Sequence, residues 1–169
     1  MQSVIDNPRS GERIVIRRSG PETGGQLLEF DLFLQPGGHV PAGHVHPRQE
    51  ERFSVLSGWV RFRIGRRTVF VRPGETVVVP RGTAHWFGNS GTDVARLRVE
   101  VRPALRMQEL FESSVERSLS TSSEWWTRLI DRALILLDFQ QEVGVPHVPA
   151  RLVTSLLTPL AWLRLRFAR

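Results

Sequence analysis

The stretch GHVPAGHVHPRQEERFSVLSG, residues 38–58, places two of the chain's five histidines one residue apart and just ahead of paired glutamates. Because strand side chains alternate between two faces, the spacing His44-x-His46 puts both imidazoles on the same face, about 7 Å apart along the backbone. Two such side chains can converge on one ion. The stretch therefore predicts a metal-binding position on a β-strand.

The paired glutamates divide between the two faces of the strand that follows Pro47. In that alternation Glu51 shares a face with the apolar Phe53, and Glu50 lies on the other face. If the apolar face is internal, Glu51 points inward, where a lone carboxylate is costly unless it meets a cation. A metal ion held by the two imidazoles would supply that cation, so we expect Glu51 to face the same ion.

A second stretch, GETVVVPRGTAHWFGN at residues 74–89, contains a further histidine. Together the two stretches resemble the two sequence motifs of the cupin superfamily, in the right order and with the right spacing. The resemblance extends over residues 37–101. The matching positions are Gly38, His44, His46, Glu51 and Gly58 in the first motif, and Gly74, Pro80, Gly82, His85 and Asn89 in the second.

This resemblance implies a double-stranded β-helix, or jelly-roll barrel, with one divalent metal ion bound inside it. By the same resemblance the metal ligands are His44, His46, Glu51 and His85. Three imidazoles and one carboxylate suit a transition metal such as Fe, Mn, Ni, Co or Zn. We treat Asn89 as a turn residue, and we expect His39 and His147 to be structural or exposed.

Alternating segments elsewhere in the chain support a mainly β fold. The segments VRFRIG at 60–65 and VARLRVEV at 94–101 set apolar residues on one face and charged residues, mostly arginines, on the other. After Pro103 the apolar period becomes that of a helix. We therefore predict a cupin barrel domain at 1–103 and an α-helical C-terminal extension at 104–169. The first residues, MQSVIDNPRSGERI, contain no signal peptide and are expected to form a short mobile lead-in.

Strand parity also predicts which side chains face the barrel interior near the metal. An apolar cavity there would suit an aromatic or aliphatic small molecule that presents metal-binding oxygens. The alternative is that these side chains simply fill the barrel, as interior residues of small barrels do. The residues concerned are Phe53, Val55, Phe62, Val77, Val79, Phe87 and Leu97.

The ligand set leaves several functions open. A metal-dependent dioxygenase acting on a small apolar molecule is the first hypothesis, with Glu51 as a possible catalytic base. A non-oxidative isomerase, decarboxylase or lyase is the second. The third is a non-catalytic module that binds a small ligand, because the cupin fold alone does not determine function.

Composition restricts the compartment and the partners. The 169-residue chain has no cysteine, a net charge of +6, and arginine as its only basic residue besides histidine. The lack of cysteine is consistent with a cytoplasmic protein. Because the arginines alternate with apolar residues, we interpret them as the solvated faces of strands and expect no nucleic-acid partner.

The helical tail needs cover for its apolar side chains. TSSE at 121–124 has the pattern of a capping box, and it precedes an apolar helix that ends before Gly144. We expect this helix to pack on the barrel or on a second subunit, which favours a homodimer. The alternative is peripheral membrane contact through residues 149–169, whose charges are all positive. That segment is broken at Pro159 and is too short in apolar length to cross a bilayer.

Overall fold

The computed structural model describes the backbone of residues 3–40, 43–120 and 125–167, and their side chains except at 120, 125, 126 and 160–167. Within these ranges the chain forms a run of β-strands followed by helices. The strands are β1 Val4–Asn7, β2 Glu12–Arg18, β3 Leu28–Leu34, β4 Glu50–Ser57, β5 Val60–Ile64, β6 Arg67–Val71, β7 Thr76–Val79, β8 His85–Asn89 and β9 Ala95–Arg102. The helices are α1 Met107–Ser120, α2 Trp125–Asp138 and α3 Ala150–Phe167.

The strands form two sheets whose neighbours are all antiparallel. One sheet has six strands in the order β1-β2-β3-β9-β4-β7, and the other has three in the order β6-β5-β8. Consecutive strands repeatedly lie in different sheets, which is the topology of a jelly roll. The predicted fold class, a mainly β barrel with a helical C-terminal extension, is confirmed.

The interior is built by the predicted alternation. In β9 the four apolar residues are fully buried, and the residues between them lie on the outer face. In β5, Val60 and Phe62 are fully buried while Arg61 and Arg63 are exposed. Because side chains change face at every residue, each strand closes the core with one side and meets solvent with the other.

The expectation of a mobile lead-in at the N-terminus is wrong. Val4–Asn7 form β1, which pairs with β2 in the register Ile5 to Ile14, and both isoleucines are buried. The β1 strand is only four residues long, and a four-residue alternation gives little signal in a sequence. Its stability comes from pairing with β2, which places its single buried side chain on the core.

Asn89 does more than form a turn. It is the last residue of β8 and is buried, and its side-chain N–H2 donates to the carbonyls of Leu34, Gln35 and Asp93. Its side-chain oxygen accepts from the backbone N–H of Gly91, which is the turn contact that the sequence predicted. One amide therefore ties the end of β3 to the loop before β9.

The helices pack against the barrel and one another. In α1, Met107 and Leu110 are buried in the main core, and Phe111 meets Phe30 of β3 edge to face at 5.3 Å. The helix α2 ends at Asp138, earlier than predicted, and the proposed capping box at 121–124 lies outside the described residues. Pro159 lies inside α3 without ending it. Among the described helices, none combines the length and apolarity needed to cross a membrane.

Candidate metal centre

Two strand ends bring the predicted ligands together. The segment before β4 pairs with the start of β8, where the backbones of His44 and His85 exchange two hydrogen bonds of 3.0 and 2.9 Å. Glu51 is the second residue of β4, and its side chain is buried whereas that of Glu50 is exposed. The sheets thus deliver side chains that are distant in sequence to one point of the interior.

The four side chains converge closely. The ligand atoms that His44, His46, Glu51 and His85 offer all lie within 4.8 Å of one another. The Oε2 atom of Glu51 is 2.9 Å from Nε2 of His85 and 3.4 Å from Nε2 of His46. Three of the four residues are buried, and His44 is partly exposed, so the site opens toward solvent on the side of His44.

Backbone carbonyls orient two of the imidazoles. Nδ1 of His46 contacts the carbonyl oxygen of Glu142, and Nδ1 of His85 lies 3.2 Å from that of Thr83. A carbonyl can only accept, so each Nδ1 carries the proton and each Nε2 keeps a lone pair. Both lone pairs are directed at the centre of the cluster, which is the state that metal binding requires.

The atoms at the centre lack adequate partners within the described protein. The buried atoms His46 Nε2, Glu51 Oε2 and His85 Nε2 form no hydrogen bond of acceptable geometry. A buried polar atom without a hydrogen bond costs free energy of folding, and three such atoms at one point are exceptional in a native structure. A divalent cation would accept all three lone pairs at once. The donor set therefore fits a transition-metal ion.

The electrostatics of the cluster favour an ionised carboxylate. Burial raises the pKa of Glu51, but positive charge on the surrounding imidazoles, His46 first and then His85, outweighs burial and lowers the pKa to about 2. With the imidazoles neutral, a bound divalent cation would supply that positive charge. The carboxyl group is thus anionic at neutral pH and suited to bind a cation.

The residues predicted to line a pocket lie in the core beside the centre. All are buried except Val77, which is partly buried, and they pack against one another. The rings of Phe53, Phe62 and Phe87 lie 5.0 to 5.4 Å apart, and those of Phe53 and Phe87 are each 6.5 Å from the His85 ring. These aromatic rings pack together next to the cluster. The role of the predicted lining residues as a substrate pocket stays a prediction.

The other two histidines lie away from the cluster. His39 is exposed, with Nδ1 2.8 Å from the carbonyl oxygen of Val40, and His147 is exposed in the loop before α3. Sequence reasoning missed Glu142, whose carbonyl orients His46 and whose buried carboxylate accepts from the backbone N–H of Arg106. Glu142 is 96 residues from His46, and no local pattern connects them.

Comparison with protein families identifies the barrel region. Residues 31–101 match the family described as "Cupin domain". This range includes all four clustered side chains and both motifs quoted above. No curated protein matches this chain significantly.

Many solved structures share the barrel. The cupin domain of Schizosaccharomyces pombe Cnp3 is 14% identical, with 63% of this chain and 72% of that chain covered and a TM-score of 0.51. A predicted oxalate decarboxylase from Thermotoga maritima is 20% identical (61% and 92% covered, TM-score 0.52). KdgF from Halomonas sp. is 17% identical (59% and 86% covered, TM-score 0.51). At these identities the likeness establishes the fold alone.

Proposed function

Residues 31–101 match the Cupin domain family, and from this premise we propose that the chain is a metal-dependent enzyme. Its proposed activity is that of a dioxygenase-like oxidoreductase acting on a small, mostly apolar or aromatic molecule. The observation that carries the proposal is the buried cluster of three imidazoles and one carboxylate, with lone pairs of His46, Glu51 and His85 left without adequate partners.

The proposed cofactor is one divalent transition metal, Fe, Mn, Ni, Co or Zn, held by His44, His46, Glu51 and His85. Such an ion supplies redox chemistry or Lewis acidity and leaves open coordination positions for small molecules. The protein fixes Nε2 of His46 and His85 through the hydrogen bonds of their Nδ1 atoms. Glu51 contributes a negative charge that its low pKa maintains.

The composition of the chain favours oxidation over acid–base chemistry. It contains no tyrosine, cysteine or lysine, so these common proton donors and acceptors are missing. The rings nearest the cluster besides the imidazoles include those of Phe53 and Phe87, which carry no proton to exchange. A carboxyl group with a pKa of about 2 is ionised at neutral pH and is a weak base, so Glu51 is better suited to hold the metal than to transfer protons. Chemistry that relies on the metal and O2 makes the smallest demand on such side chains.

The metal proposal is tested by the element content of protein purified without added metal. We expect about one transition-metal ion per chain, and His46→Ala should lower occupancy at least about tenfold, since ligand loss removes several kcal/mol of binding. His39→Ala is the matched control, because it removes an exposed imidazole outside the cluster. Equal metal content in the His46 variant and the wild type would refute the ligand assignment.

The reaction is tested by oxygen uptake with the metal-loaded protein and a panel of catechols and flavonols. Oxygen consumption that is stoichiometric with product supports the proposal. Turnover under strict anaerobiosis would replace it with isomerase, decarboxylase or lyase activity. Tight ligand binding with no product across the panel would replace it with a non-catalytic binding module.

Cytoplasmic localisation stays a prediction, which cell fractionation tests.

A further inference from the structure

A cleft of about 600 Å3 lies on the outer face of the three-stranded sheet, away from the barrel interior. Two arginines of β5, Thr68 of β6 and Trp86 of β8 line one side of it. Pro146 and His147, from the loop between α2 and α3, line the other side. Gly43 and the predicted metal ligand His85 also line the cleft, and none of the described lining residues is a carboxylate.

Strand register directs the side chains of this cleft and those of the metal cluster to opposite faces of the sheet. Arg63 lies opposite Thr68 on one neighbouring strand and opposite Trp86 on the other, so the three side chains share a face. Residues 62 and 85 lie on the opposite face, where Phe62 is fully buried and His85 joins the cluster. The strand β8 therefore directs the side chain of His85 into the interior and that of Trp86 into the outer cleft.

The outward arginines of β9 and those of β5 differ in their partners. On the six-stranded sheet, Arg96 and Arg98 pair with Asp31, and Arg102 pairs with Glu100. On the three-stranded sheet, Arg61 and Arg63 form no ion pair with any residue that the structure describes.

The sequence provides the reason for this difference. It has no acidic residue between Glu51 and Glu75, nor between Glu75 and Asp93. These two intervals contain all of β5, β6 and β8. The positive charge of the cleft is thus not compensated by its own sheet.

The cleft is also preorganised around Trp86. Its indole N–H donates to the carbonyl of Val40 at 3.1 Å, which fixes the ring. The guanidinium of Arg61 lies 5.1 Å from the centroid of that ring, within the range of a cation–π contact. A stacked guanidinium keeps its N–H edges available, and these edges match the two oxygens of a carboxylate or phosphate.

We propose that this cleft binds a small organic anion through a carboxylate or phosphate group. Arg61 and Arg63 bind the anionic group, and Trp86 offers a flat surface to the rest of the molecule. The size of the cleft falls within the range of small-molecule sites, about 300–1,000 Å3. The site borders the metal centre at His85 but is formed by outward-facing side chains of the sheet, and its occupancy does not depend on the proposed oxidation.

The proposal is tested by titrating the metal-loaded protein with inorganic phosphate and, separately, with benzoate at constant ionic strength. We expect saturable binding of at least one of them, with a dissociation constant of about 1 mM or below. The double variant Arg61→Gln with Arg63→Gln should weaken binding at least about tenfold, because it removes two charge-assisted contacts. A shift of the Trp86 indole N–H resonance on saturation should locate the ligand at the cleft.

The matched control is Arg66→Gln with Arg67→Gln, which removes the same charge from the same hairpin outside the cleft. Its affinity should stay within about twofold of the wild type, since neither side chain lines the cleft and salt screens exposed charges. An equal loss in both double variants, or tighter binding of single-stranded RNA that both reduce equally, would show a general polyanion surface and overturn the proposal. Absence of saturation with both probes would also overturn it. Metal content should match the wild type in all variants, and its loss in the cleft variant would contradict the independence of the two sites.

Discussion

At the scale of single residues, one buried carboxylate organises the arginines on the outer face of the six-stranded sheet. Asp31 in β3 has no exposed surface although it lies on the outer face of its sheet, because three arginines cover it. Its Oδ1 lies 2.6 Å from Arg98, and its Oδ2 lies 2.8 Å from Arg96 and 2.9 Å from Nε of Arg17. One carboxylate thus joins β2, β3 and β9.

The cluster predicts that Asp31→Asn destabilises the protein. Within the described part of the chain, the change leaves Arg17 and Arg96 without a counter-charge, and Arg98 keeps only its contact with Glu29. We expect a loss of roughly 2 kcal/mol in the free energy of unfolding, because the arginines stay partly solvated. Chemical denaturation measures this. Asp6→Asn is the control: Asp6 pairs with Arg13 at 3.7 Å with both side chains more than half exposed, so its loss should cost about 0.5 kcal/mol or less. Equal effects would contradict the role assigned to the cluster.

The same group makes stability depend on pH in the acid range. Burial of Asp31 opposes ionisation, but hydrogen bonds from Arg98, Arg96 and Arg17 lower its pKa from 3.8 to about 2. A carboxyl group with a lowered folded-state pKa stabilises the protein above its unfolded pKa, and this contribution disappears as pH falls through the folded pKa. We therefore expect stability to drop between pH 4 and pH 2, less steeply in Asp31→Asn than in the wild type. Parallel pH profiles of thermal unfolding for the two proteins would refute this.

Residue-level chemistry was predictable where it repeats locally, and not where it depends on distant chain. The spacing of His44, His46 and Glu51 follows from strand alternation, and the second motif identified His85. The carbonyl of Glu142 that orients His46 comes from the loop after α2, and the three partners of Asp31 come from two other strands. These contacts depend on how the elements fold back on one another, which no local pattern records.

At the scale of elements, the turn between β4 and β5 explains one motif glycine. Gly58 has a φ of +78°, a backbone conformation that residues other than glycine rarely adopt. A Cβ atom added at this position would lie 2.7 Å from Cα of Ala95. Ala95 is the first residue of β9 and is fully buried, so it has little freedom to move. The glycine lets β4 and β9 approach closely where the hairpin turns.

We predict that Gly58→Ala costs about 3 kcal/mol or more in the free energy of unfolding, since backbone strain adds to overlap with buried backbone. Gly65→Ala is the control, because Gly65 also has a positive φ of +55° but a Cβ added there would meet no atom within 4 Å. That change should cost only about 1 kcal/mol from strain. Thermal unfolding compares the stabilities of the two variants. Similar losses of stability would mean that the close approach of residue 58 to Ala95 does not contribute to the cost.

Prediction of the elements succeeded where alternation is long and failed where it is short. The eight residues of β9 and the five of β5 showed their buried faces plainly. The strand β1 has four residues with one buried side chain. This alternation is too short to predict a strand, and the sequence instead predicts a mobile lead-in there. The β2 segment ERIVIRR does alternate, with Ile14 and Ile16 buried, and this signal could have revealed the N-terminal hairpin.

At the scale of the whole molecule, the helical extension is connected to the metal centre. The loop after α2 forms an antiparallel bridge between Gly144 and Val45, whose backbones exchange hydrogen bonds of 2.9 and 3.2 Å. Val45 lies between the two histidines of the first motif, and the carbonyl of Glu142 reaches the second of them. The barrel supplies the predicted metal ligands, and the extension therefore helps to hold them in position.

The outer surface of the same extension carries exposed leucines that require an explanation. Leu152 and Leu156 of α3 are 50% and 70% exposed, and their spacing of four residues puts them on one helix face. Burying two leucines contributes roughly 3–6 kcal/mol, and a second copy of this helix offers a matching face. We therefore predict a homodimer that forms through α3, with peripheral membrane contact as the alternative use of the same face.

Light scattering coupled to size-exclusion chromatography tests this prediction. Leu152→Glu with Leu156→Glu should convert the dimer to a monomer, because each substitution removes apolar contact and adds a like charge to both copies. Arg151→Gln with Thr158→Glu is the matched control, since it changes the net charge by the same amount at exposed positions about 100° or more around α3 from both leucines, and it should stay dimeric. A monomeric wild type that binds anionic liposomes, and loses that binding in the leucine variant alone, would instead assign the face to a membrane surface. Metal content should be equal in all these proteins, because the leucine face is solvent-exposed whereas the ligands lie inside the barrel.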